Sequence, residues 1–138
     1  MLSNKQERIT VLVIGTHDLF RRSFENLISI QSDMELFGTV VSSEEAMDKE
    51  SNLPPSVILI DLSITEMESL TPIQNIHKKF PQIPIIATSG FPTHELVEKM
   101  MKSGVKKYIK RGDSAHSIVD AIRELATAEA NINHQKEQ

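Results

Sequence analysis

Asp61 stands at the end of the apolar run Val57-Ile58-Leu59-Ile60 and opens into a loop. A carboxylate in that place can attack a phosphoryl group, form an acyl phosphate and release the donor's leaving group. Charge developing on the phosphoryl oxygens then calls for hydrogen-bond donors or cations. Ser89 offers a hydroxyl at the end of another apolar run, and Arg111 or Lys110 offers a positive charge at the end of a third. A metal-assisted site would also want carboxylates beside Asp61. The first apolar run, Ile9 to Ile14, leads instead into Gly15, Thr16 and His17. Plainer readings stand beside these. Asp61 can cap the turn after a strand by accepting backbone amides. Ser89-Gly90 suits a turn, and an isolated Arg111 suits a solvated surface.

Five short apolar runs alternate with five helical stretches, and this alternation must bring the four run ends together. Ile9–Ile14 is aliphatic on both faces, as a buried parallel strand requires. Asp18 is placed to cap a helix with Phe20, Phe24, Leu27 and Ile28 on its inner side. A second strand spans Met34 to Val41. Ser42 or Ser43 caps the next helix, with Glu45 completing a capping box. Val57–Ile60 is the central strand. A third helix carries Leu70, Ile73, Ile76 and His77 inward. The fourth strand spans Ile83 to Ala87. Pro92 sits in the first turn of a fourth helix, which Gly104 ends. Val105–Ile109 makes the fifth strand, and Ile118, Ile122, Leu125 and Ala126 line a final helix. The pattern predicts a doubly wound α/β domain, a parallel sheet in order 2-1-3-4-5 with two helices on one face and three on the other. Ligand sites in such sheets lie beyond the carboxyl ends of the strands. Asp61, Ser89 and Arg111 therefore converge.

The chain has 138 residues and 39% hydrophobic content, enough for one core. The domain is expected over residues 9–128, after a flexible stretch at 1–8 and before a polar tail or linker stub at 129–138. A net charge of -4 argues against direct nucleic-acid binding. The absence of cysteine excludes disulfides, thiolate metal sites and thiol catalysis. No apolar run approaches a membrane span, and Met1 to Arg8 lacks the core of a secretory signal. The chain reads as cytoplasmic. A small α/β enzyme or nucleotide-binding protein is the last-ranked reading, because neither a Walker-type loop nor a Gly-x-Gly-x-x-Gly pattern is present.

From Ile9 to about Ala128 the sequence resembles the receiver domain of bacterial two-component response regulators, whose fold is flavodoxin-like. It is most similar to the subfamily that joins a receiver to a C-terminal helix-turn-helix. His17, Leu19, Phe20 and Arg21 match that subfamily's first segment, and Asp18 takes the place of its proline. Gly15 and Thr16 occupy the places of the two acids that hold magnesium in the family. Pro55 to Ile64 matches the phosphoacceptor strand, which implies Asp61 as the phosphorylatable aspartate and the Ser63 backbone carbonyl as a further metal ligand. Thr65 and Ser69 depart from the usual proline and glycine. Ser89 is assigned the switch hydroxyl and Tyr108 the switch aromatic. Arg111, three residues after Tyr108, falls on the phosphate-binding lysine, with Lys110 as the fallback.

The resemblance implies a receiver that keeps the fold and nucleophile but lacks the acidic pair. With Asp61 as the one firm carboxylate, and Asp18 and the Ser63 carbonyl as weak candidates, no magnesium ion is expected. Arg111 is expected to pair with Asp61 and take part of the cation's role. The expected function is signal transduction or transcription regulation through protein contacts, with magnesium-dependent phosphorylation weak or absent. The alternative is an ordinary phosphoacceptor served by a histidine kinase. Expected partners are a histidine kinase, an output domain or a second copy, through the fourth helix, fifth strand and fifth helix. Lys106, Lys107, Lys110 and Arg111 form a basic cluster that suits protein docking.

Overall fold

A computed structural model describes the backbone of residues 8–48, 53–62, 70–90 and 93–137, and side chains among them as far as 128. Five strands form one parallel sheet: β1 (Ile9–Gly15), β2 (Met34–Val40), β3 (Val57–Leu62), β4 (Ile85–Ser89) and β5 (Val105–Lys110). Their order is β2-β1-β3-β4-β5, as the alternation predicts. The described helices are α1 (Asp18–Ser29), α2 (Ser43–Asp48), α3 (Thr71–Lys79), α4 (His94–Lys102) and α5 (Ala115–Glu137).

Every residue of β3 is buried, because helices cover both faces of the sheet. On one face, Phe24 and Ile28 of α1 and Ile118, Val119 and Ile122 of α5 pack against Val11, Val13, Val57 and Leu59. On the other, Ala46 of α2, Ile73 and Ile76 of α3 and Met100 of α4 pack against Leu12, Ile14, Ile58 and Ile60. Each fully buried Ile or Leu contributes about 1.5–3 kcal/mol of apolar transfer energy. The core thus fixes the strand register, and the register fixes which loop side chains meet.

Several boundaries differ from the sequence reading. β4 begins at Ile85 and runs on to Ser89. The N-cap of α1 is His17, and no side chain caps it. Asp18 is not the cap: it lies in the first turn and pairs with Arg21 and, at 3.2 Å, with Arg22. Ser42 Oγ does accept from the Glu45 amide, while the Glu45 carboxylate accepts from Val41 N rather than closing on Ser42 itself. Thr93 caps α4 by accepting from Leu96 N; Pro92 lies outside the described residues. Gly104 follows α4 with a φ of 125°, and a Cβ there would lie 2.6 Å from the His77 ring. Backbone of α5 stays helical to Glu137, so the polar stretch after 128 continues that helix. The expectation for residues 1–8 lies outside the described residues, Arg8 excepted.

Candidate functional site

Parallel pairing sets Gly15, Asp61 and Thr88 side by side at the carboxyl end of the sheet. Asp61 is only 2% exposed. A carboxylate so placed needs partners, since an unpaired buried charge is costly. Arg111 supplies them. Its Nη2 donates to Asp61 Oδ1 at 3.0 Å and Oδ2 at 2.9 Å, and its Nε donates to Oδ1 at 3.3 Å. Nη2 also lies 3.3 Å from the Leu62 carbonyl oxygen. The Thr88 hydroxyl donates to Asp61 Oδ1 at 2.6 Å.

Three neighbours hold the guanidinium in place. Arg111 N donates to Ser89 O at 2.9 Å, which ties the start of the loop after β5 to the end of β4. The Phe20 ring lies under the guanidinium carbon, 4.2 Å from its centroid, in cation–π geometry. Gly90 leaves the space that Nη1 occupies, for a Cβ there would lie 2.8 Å from it. Lys110, the alternative cation, is exposed, and the alternation of strand side chains accounts for its different direction.

The two hydroxyls at the end of β4 are divided. The resemblance implies Ser89 as the switch hydroxyl, and the strand ends imply it as a neighbour of Asp61, but Thr88 is the one that meets Asp61. Ser89 points to the opposite face, with its Oγ 2.8 Å from the Tyr108 hydroxyl. Tyr108 also donates to the Ser89 carbonyl at 3.1 Å. Burial raises the Tyr108 phenol above its ordinary pKa, with the Ser89 hydrogen bond pulling the other way.

Comparison with known proteins decides the family. The response regulator receiver domain family matches residues 11–123. Response regulator protein VraR of Staphylococcus aureus is 33% identical over 122 residues, covering 88% of this chain and 58% of its own length. The chain belongs to the response regulator receiver family. Solved structures share the fold. A CheY-like receiver from Methanospirillum hungatei JF-1 superposes with a TM-score of 0.77 at 17% identity, covering 90% of this chain and 98% of that one. The signal receiver domain of a putative NarL from Mycobacterium tuberculosis gives 0.77 at 18%, covering 88% and 98%.

Positions 15 and 16, at the end of β1, carry no carboxylate. Gly15 is buried and Thr16 exposed. Arg21 reaches back so that Nη1 donates to Gly15 O at 3.0 Å, while Nη2 binds Asp18. Asp18 is therefore drawn to α1 arginines rather than to Asp61. Ser63, Thr65 and Ser69 lie outside the described residues. Of the basic cluster, Arg111 turns inward to Asp61, Lys107 pairs with Glu124 at 3.3 Å, and Lys106 and Lys110 are exposed.

Elsewhere, a groove of about 430 Å³ between α3 and α4 is lined by Gln74, Asn75, His77, Lys78, Lys102 and Ser103. Its lysines sit in the last turns of both helices, where cations complement the helix dipoles. No described helix is long and apolar enough to cross a membrane.

Proposed function

We propose that this receiver transmits its signal through protein contacts and that its Asp61 is closed to magnesium-dependent phosphorylation. The observation that carries the reading is the Arg111–Asp61 pair, in which both carboxylate oxygens accept from one guanidinium. Magnesium asks for near-octahedral oxygen coordination and gives up its water reluctantly. Gly15 and Thr16 bring no carboxylate, Asp18 is committed to Arg21 and Arg22, and no cluster of three or more His, Asp or Glu exists among the described residues. This donor set does not fit the ion. A fixed guanidinium, charged at every physiological pH, supplies the positive charge instead.

The chain spans 58% of the length of the curated relatives it matches. Output through a further domain and a role in transcription regulation are accordingly part of the proposal. So are a histidine kinase as partner, self-association through α4, β5 and α5, and a cytoplasmic site of action.

One observation favours a second reading. Asp61 keeps a hydroxyl at 2.6 Å and a cation beside it, which are donors that could receive a phosphoryl group if Arg111 swung aside. Incubation with magnesium and acetyl phosphate, followed by intact mass measurement, separates the two. Unchanged mass is expected. An adduct of about 80 daltons, lost in Asp61→Asn, would establish the second reading; the increment is that of one phosphoryl group.

A further inference from the structure

The chain carries a net charge of -4, yet cations gather where α3 and α4 end. The last turn of α3 holds His77, Lys78 and Lys79, and that of α4 holds Lys99 and Lys102. One lysine of each helix is already engaged. Lys79 donates to the Met47 carbonyl, and Lys99 pairs with Glu95 at 3.3 Å. The other two, Lys78 and Lys102, are exposed and line the groove of about 430 Å³ together with Gln74, Asn75, His77 and Ser103. Among the described residues neither lysine has a hydrogen bond or ion pair, and no Asp or Glu lines the groove. The helix dipoles favour cations at these ends. They do not account for two lysines left without a carboxylate on a chain with 19 acids against 15 lysines and arginines.

His77 adds a donor to this lining. Its Nδ1 is buried and has no hydrogen-bond partner. The ring seats against Gly104, where a Cβ would lie 2.6 Å from Cγ and 2.9 Å from Nδ1. A proton on Nδ1 would be an orphan donor inside the protein, and burying one is costly. In the neutral ring the proton therefore sits on Nε2, the nitrogen that is not sealed, and His77 meets the groove as a donor. The Ser103 hydroxyl is spent on the Lys99 carbonyl at 2.8 Å. The carboxamides of Gln74 and Asn75 have no partner among the described residues, and each can turn its amide protons inward. The lining thus offers two ammonium groups, an imidazole N–H and two amides, with no like charge to repel an anion.

We propose that this groove binds a small dianion, a molecule bearing a phosphate ester or two carboxylates. Lys78 and Lys102 neutralise its charge, and His77 Nε2 donates to one of its oxygens. The volume lies in the range of small-molecule sites, about 300–1,000 Å³. A bound dianion ties the last turn of α3 to that of α4. These helices end where β4 and β5 begin, so the groove lies at the opposite end of the sheet from Asp61. The proposal therefore does not depend on whether that carboxylate accepts a phosphoryl group.

The experiment titrates the isotope-labelled whole chain with inorganic phosphate and, separately, with succinate. It is run at about pH 8, where both probes are dianions, with sodium chloride holding the ionic strength constant. Backbone amides of Gln74 to Lys78 and of Lys102 to Gly104 should shift together and saturate. The better-bound probe then names the anionic group, phosphate or carboxylate. Lys78→Gln and Lys102→Gln should each weaken binding by about threefold to fivefold, which is what one exposed ion pair supports. The double variant should lose saturation over the same range. Lys106→Gln, at an exposed lysine outside the groove, should leave binding unchanged. A long-range proton–nitrogen spectrum reads the imidazole, and the ligand should move the His77 Nε2 signal further than that of Nδ1. The proposal is overturned if the shifts grow without saturating, if sodium chloride alone reproduces them, or if the double variant binds like the unaltered chain. Saturation confined to the amides around Asp61 and Arg111 would overturn it as well, since the anion would then belong to the other end of the sheet.

Discussion

Arg111→Ala should be costly in a way that Asp61→Asn relieves. Asp61 has a side chain 1% exposed, and its charge is balanced by Arg111 alone among its hydrogen-bond partners. Removing one member of a buried pair typically costs about 3–5 kcal/mol, because the other charge is left uncompensated. Arg111 itself is 19% exposed, so water can enter the space it vacates and recover part of that loss. Thr88 keeps its bond as well. The expected cost of Arg111→Ala is therefore about 2–3 kcal/mol, below the range for a sealed pair. Asp61→Asn leaves the shape but removes the charge, and the freed guanidinium can turn to water; about 1–2 kcal/mol is expected. The double variant carries no buried charge. It should lose roughly 2 kcal/mol, which leaves about 2 kcal/mol of coupling between the two positions. Urea unfolding reads this directly, since a slope of about 1–3 kcal/mol per molar gives a midpoint shift near 1 M for Arg111→Ala. Losses that add within about 0.5 kcal/mol would refute the reasoning and return Arg111 to the surface.

Three further outcomes follow from the same geometry. Gly90→Ala should lower stability by about 1 kcal/mol, although Gly→Ala usually stabilises at compatible sites, because its Cβ would crowd Arg111 Nη1; a coupling cycle repeated in that background should shrink. Gly15 has room for a Cβ, which would meet only ordinary contacts at 3.6 Å and 3.8 Å. Gly15→Asp/Thr16→Asp should nevertheless gain magnesium binding, read from amide shifts at Asp61, only when Arg111 is also replaced by lysine. At the far end of the sheet, Arg123 grips Asp33 at 2.7 Å and 3.0 Å and holds its carboxyl below the usual range. A depressed carboxyl stabilises the fold above its unfolded pKa, and that contribution is lost as pH falls through the lower folded value. Asp33→Asn should flatten stability in that acid window by less than about 1 kcal/mol, because both groups are half exposed; melts from pH 2 to 6, a window set by the ordinary carboxylate value of about 4, would test it.

The fold was legible because its signals are redundant. Five β-branched runs and helical apolar stripes all demand the same two-faced sheet, and an error of two residues at the start of β4 leaves that demand intact. Arg111 was legible for a different reason: its spacing from Tyr108 places it on the Asp61 side of the sheet, and Lys110 fails by alternation. Neighbouring hydroxyls defeated the same logic. Whether Thr88 or Ser89 meets Asp61 depends on the register of β4 against β3, a long-range property that pairs Asp61 with Thr88. The position of Asp18 before Leu19-Phe20 suggests a helix cap. Two arginines within reach on its own helix offered stronger partners than the backbone amides. The role of Gly90 carries no sequence signal beyond the turn it suggests, since its purpose is the volume it leaves empty.

The residues around Asp61 act as a set, and the set is built to hold the guanidinium of Arg111. Carboxylates at positions 15 and 16 would compete for the guanidinium and divide its bonds; with glycine and threonine there, both oxygens of Asp61 receive it. A side chain at position 90 would push the guanidinium aside, and Gly90 has none. Phe20 offers a flat face that a planar guanidinium can stack on, 4.2 Å away, which a lysine ammonium cannot match in shape. Arg21, tied to Gly15 O, Asp18 and Glu25, fills the neighbouring space without bonding to Asp61. Restoring one feature should therefore do little. An added acid would find arginines before it found magnesium, and a lysine at 111 would lose the stacking without gaining a ligand cage. On the proposed reading, coordinated replacement at 15, 16 and 111 is what should open Asp61 to magnesium.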